Sequence, residues 1–169
     1  TDGTIYASGS ARYDPNGYIA TALAAIASKP GYDATGIYVS IGQSDHTVNS
    51  TRAQYGAAMQ ALAAHVTGLG YRCWLGVTCG MSGADGATIT SRDATMTGVI
   101  QAGQQDALAA LAGNSLVKAG ADLRTALGVP AASAVDTTRN AVNNSDYLHV
   151  TSATYDQAGP YVAAAFAAG

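Results

Sequence analysis

From Gly36 to Thr78 the chain spells a strand, a capped helix and a second strand, and that order leaves few folds open. "GIYVSIG" (36–42) is a β-rich apolar run with the look of a buried strand, and "YRCWLGVT" (71–78) is the next one. Between them Thr51 and Gln54 fit a capping box, and Tyr55, Met59, Leu62, Val66 and Leu69 recur on one helical face. Gly68 and Gly70 then stop the helix. Two strands joined through a helix run parallel, because the crossover carries the chain back to the end of the sheet where it started.

The same alternation runs along the rest of the chain. "GTIYA" (3–7) reads as a short strand, followed by a turn at Pro15 and Gly17 and a helix with Ile19, Leu23 and Ile26 at helical spacing. Pro30 and Gly31 end it. A helix from Arg92 to Leu111 carries Met96, Ile100 and Leu108 inward, with Gly98 and Gly103 as weak points. "NSLVKAGADL" (114–123) gives a further strand, and residues 124–145 read as loop with one helical turn. Asp156, Pro160, Tyr161, Val162 and Phe166 make a last helix, with Pro160 in its first turn. The expectation is one domain over residues 1–169, a three-layer α/β/α sandwich with a mostly parallel sheet. "GQSDH" and the Gly-rich "CGMSGADGAT" (79–88) then fall at strand carboxyl ends, where such folds keep function-bearing loops.

Composition narrows the chemistry. The net charge of −3 offers no basic field for nucleic acid or for an anionic membrane surface, and no run of 18 apolar residues exists. All eleven acidic residues are Asp, which excludes HExxH metalloproteases and Glu-based glycosidases on this chain. With no CxxC and three His, neither a zinc site nor any other metal or organic cofactor is expected. Cys73 and Cys79 would lie ~20 Å apart on one extended strand, so two buried thiols is the better reading, and only a loop after Val77 would allow a bridge. Charged residues make up 11% of the chain, which suits a secreted or virion-surface protein such as a phage tail component better than a cytosolic one. A start at Thr1 rather than Met is expected of a processed product or a piece of a longer protein.

"DYLH" (146–149) places a carboxylate three residues ahead of an imidazole and just before a helix. Asp146 can curl back to accept the Nδ1 proton of His149, which leaves Nε2 free to act as a base. With "GIYVSIGQSDHTV", in which a strand ends in Gly-x-Ser-Asp ahead of a capped helix, the chain resembles the SGNH, or GDSL-like, hydrolases. Gly42-Gln43-Ser44-Asp45 looks like the family's third block, in the form carried by carbohydrate acetylesterases, with Ser44 where Asn is usual. "DYLH" looks like its last block, and "IYASGSARYDPNGYIATALAAI" like its second. The resemblance implies an ester hydrolase acting on an acylated carbohydrate, with His149 as base, Asp146 as its orienting carboxylate, and the Gly9 N–H and Ser44 as oxyanion donors. Tyr6, Tyr13, Tyr18 and Tyr147 would suit a wet, sugar-compatible groove.

The first, Ser-bearing block has no counterpart at the matching position. In the doubly wound order 2-1-3-4-5 the first strand sits between the second and third, so its loss would leave two edges unpaired inside a core. Three arrangements answer this. An upstream segment, cleaved before Thr1 but still packed in place, would supply both strand and nucleophile. Alternatively "GTIYA" is itself the central strand and Ser10 the nucleophile, or Ser44 is the nucleophile and no later G-x-N-D follows. The competing class is a non-catalytic glycan-binding or structural module that keeps the fold.

Overall fold

Four consecutive residues of β1 (Gly36–Val39) are followed by helix α2 (Arg52–Gly68) and strand β2 (Arg72–Val77), the unit read from the sequence. The computed structural model describes residues 17–31, 35–42, 50–78, 94–127 and 152–169. Helix α1 (Tyr18–Ala27) precedes this unit. After it come a π-helical turn (Met96–Gln101), helix α3 (Ala102–Ala110), strand β3 (Val117–Asp122), the single turn α4 (Leu123–Ala126) and helix α5 (Ser152–Ala168). The described strands form one parallel sheet in the order β1-β2-β3, with Gly36 opposite Arg72 and Cys73 opposite Val117. The molecule is an α/β protein with helices on both faces of a parallel sheet.

Side-chain alternation sorts the two faces. Cys73 and Leu75 join Val39, Met59, Leu62, Val66, Met96 and Ile100 in the main core, under α2, the π-helical turn and α3. Helices α2 and α3 approach closely because Gly56 and Gly103 face each other; a Cβ on Gly103 would sit 3.1 Å from the Gly56 nitrogen and 3.0 Å from the Tyr55 ring. Trp74, on the opposite face, is 1% exposed, stacks at 4.5 Å on Phe166 of α5 and donates its indole N–H to the Ala165 carbonyl. Burying a side chain of this size contributes roughly 1.5–3 kcal/mol, so both faces carry substantial apolar stabilisation. Glycines make room for the large aromatics: a Cβ on Gly36 would meet the Trp74 ring at 2.5 Å, and one on Gly76 the Tyr38 hydroxyl at the same distance.

The capping box is present in full, with the Thr51 side chain accepting from the Gln54 N–H and the Gln54 side chain from the Thr51 N–H. At the other end of α2, Gly70 takes φ +87°. Leu69, expected on the buried face, is the C-cap and 38% exposed, and Ile26 of α1 is 42% exposed while Leu23 is buried. The last helix begins at Ser152, so Pro160 lies in its interior rather than its first turn. Pro160 is on the solvent side, where water can satisfy the Asp156 carbonyl that its missing N–H leaves free. β3 starts at Val117 rather than Asn114, because Asn114 closes a turn in which its side chain and carbonyl accept the N–H groups of Leu116 and Val117. Cys73 is a free, buried thiol whose pKa burial pushes up to about 12; Cys79 lies outside the described residues. No helix among the described residues is long and apolar enough to cross a membrane.

Candidate active site

Ligands of open parallel sheets bind beyond the carboxyl ends of the strands. β1 leaves the sheet through Ser40, Ile41 and Gly42, and β2 leaves through Thr78. Gly42 is buried at φ +119°, a conformation that L side chains rarely adopt. A Cβ there would lie 2.4 Å from the Tyr55 hydroxyl and 2.7 Å from Ile100 Cγ2. Both backbone geometry and space therefore require glycine at this position.

Three polar side chains hold the two strand ends. Gln104 donates from Nε2 to the Ile41 carbonyl at 2.7 Å and accepts the Thr78 N–H on Oε1 at 3.0 Å. Gln101 donates from Nε2 to the Thr78 carbonyl at 2.8 Å, and the Tyr55 hydroxyl donates to the Ile41 carbonyl at 3.4 Å. Gln101 is 4% exposed and Gln104 fully buried, and their two bonds to the Thr78 backbone form out of water, where an unmet partner costs about 1–3 kcal/mol. The π-helical turn brings Ile100 and Gln101, adjacent in sequence, both into buried positions. Such turns insert one extra residue into a helix, and they are frequent at functional sites.

The exit of β3 is shaped by a bulge. Leu75 pairs with Ala119 but Val77 with Asp122, so one residue of β2 faces two of β3. The Tyr38 hydroxyl reaches across from β1 to accept the Ala121 N–H at 3.0 Å and donate to the Ala121 carbonyl at 3.3 Å. Burial raises the Tyr38 pKa, the bond from the Ala121 backbone opposes this, and the charge of Asp122 adds to the rise. Asp122 itself caps α4, accepting the Thr125 N–H at 3.0 Å and its hydroxyl at 2.9 Å. Ser50, directly ahead of the α2 cap, has a buried hydroxyl with no hydrogen-bond partner among the described residues.

Gly9, Ser10, Ser44, Asp146 and His149 lie outside the described residues, as do Tyr6, Tyr13 and Tyr147. Their flanks are described. Gly42 stands two residues before Ser44, and α5 begins three residues after His149. Among the described residues no group of three or more His, Cys, Asp or Glu is placed to hold a metal.

The sequence reading passed over Gln101 and Gln104, taking their segment simply as a helix. The signal was there: with Ile100, Ala107 and Leu108 they fall on one face, so two uncharged polar residues sit inside an apolar stripe. Comparison with protein-family models, curated proteins and solved structures finds no match to this chain.

Proposed function

We propose that the chain is a catalytic module of an SGNH-type serine esterase that removes O-acetyl groups from a carbohydrate. The observation that carries this reading is Gly42, a buried glycine of positive φ that closes β1 and opens the Gly-x-Ser-Asp segment at the carboxyl end of a parallel sheet. The order β1-β2-β3 also fits strands three, four and five of a 2-1-3-4-5 sheet, and "DYLH" directly precedes α5.

In this mechanism the Asp146 carboxylate accepts a hydrogen bond from His149 Nδ1–H, and Nε2 removes the proton of the nucleophilic serine as its Oγ attacks the acetyl carbonyl. The oxyanion takes the Gly9 N–H and the Ser44 hydroxyl as donors. Collapse expels the sugar hydroxyl, which receives the proton from His149; water then attacks the acyl-enzyme by the same base and releases acetate. The serine comes from an upstream segment, which also fills the strand position between the second and third strands.

Intact mass under denaturing conditions, followed by labelling with a fluorophosphonate, tests this directly. A second, smaller labelled peptide is the expected result. Label on the 169-residue chain itself would move the nucleophile to Ser10 or Ser44, and a single unlabelled species would leave a binding or structural module. In an active preparation His149→Ala is expected to lower kcat by about 10²–10⁴-fold on p-nitrophenyl acetate, the usual contribution of a positioned base.

A further inference from the structure

The β1–β2 ladder shows where Gln104 acts. Arg72 N–H donates to the Thr35 carbonyl, and Gly36 is level with Arg72. Stepping by two residues along this parallel register brings the Thr78 N–H to the Ile41 carbonyl as the next rung beyond the paired residues. Those two groups do not meet. Instead the Gln104 amide stands between them, its Nε2 donating to Ile41 and its Oε1 accepting from Thr78. One side-chain amide has taken the place of a direct rung.

We propose that Gln104 is a positioning residue that wedges the carboxyl ends of β1 and β2 apart and fixes the exits of both strands, at Ile41 and Thr78. Gln101 supports it by holding the Thr78 carbonyl, so both backbone polar groups of Thr78 are held by side chains of this helical segment. The π-helical turn directly before α3 sets this reach. Ser44 is two positions beyond Gly42 in the sequence, and a role for the wedge in catalysis rests on the esterase reading.

Through-hydrogen-bond scalar couplings in the wild-type protein test the wedge without any mutation. Couplings from Gln104 Nε2 to the Ile41 carbonyl carbon and from Thr78 N to Gln104 Cδ are expected. A direct coupling from Thr78 N to the Ile41 carbonyl carbon would overturn the proposal. Gln104→Met keeps the volume and removes both bonds. With p-nitrophenyl acetate it is expected to lower kcat by about 10- to 100-fold with little change in KM, as misplacement of reacting groups does. Unchanged kcat in a folded variant would refute the positioning role. Should wild type hydrolyse no ester, the esterase reading falls, and amide exchange at Gly42 and Thr78 decides the wedge: about tenfold faster exchange in Gln104→Met supports it, and unchanged exchange overturns it.

Discussion

Gly42 shows how much one residue can decide. Any side chain there meets two obstacles at once, a φ of +119° and the Tyr55 hydroxyl 2.4 Å from where its Cβ would be. Gly42→Ala is therefore expected to cost about 2–4 kcal/mol in urea unfolding, strain and overpacking together. Gly68→Ala is the control: nothing lies within 4 Å and the site is helical, so it should be neutral or slightly stabilising. Equal losses at both positions would show that Gly42 is not constrained as described. From the sequence, Gly42 was legible as the first residue of a Gly-x-Ser-Asp motif, but its reason was not. That reason is Tyr55 and Ile100, brought in from two other elements.

At the scale of elements, local signals and long-range ones separate cleanly. The α2 capping box needs only Thr51 and Gln54, three residues apart, and it was readable as such. The tie between α2 and α3 was not, because Arg52 and Asp106 are 54 residues apart. The Arg52 guanidinium grips the Asp106 carboxylate through Nε and Nη2, and this hydrogen bonding, more than charge alone, holds the Asp106 pKa below its ordinary value while slight burial opposes it. A depressed folded-state pKa means the pair stabilises the fold fully above the ordinary carboxylate value of 3.8 and loses that contribution as pH falls through the lower, folded value. Wild type should thus lose stability more steeply than Asp106→Asn as pH falls from about the ordinary value of 3.8 through the lower, folded one, in thermal melts at low salt. Both groups are exposed, so the difference will be small and will shrink further in high salt. Parallel acid limbs for the two proteins would count against the pairing. Pro160 is a case in point: a proline favours a helix's first turn, yet a solvent-facing interior position tolerates it, and the packing of Ala158 with Leu123 and of Phe166 on Trp74 fixes how the helix lies.

Across the whole molecule, the sheet is covered on one face by α2 and α3 and on the other by α5, and the one tryptophan reports on the second contact. Trp74 touches Phe166 at 4.5 Å and bonds to the Ala165 carbonyl. Phe166→Ala is expected to red-shift its emission and to cost about 1–2 kcal/mol, less than for a fully buried phenylalanine because the ring is 40% exposed. Emission identical to wild type would mean that α5 does not cover Trp74. Hydrophobic period, the capping box and glycine stops were enough to determine the α/β class and the βαβ order, since each is a property of neighbours along the chain. Register, the β3 bulge bridged by Tyr38, and the Gln104 amide set between Ile41 and Thr78 were decided only in three dimensions. Each of these joins groups dozens of residues apart, and a buried polar group reveals its partner only once the backbone that needs it has been brought alongside.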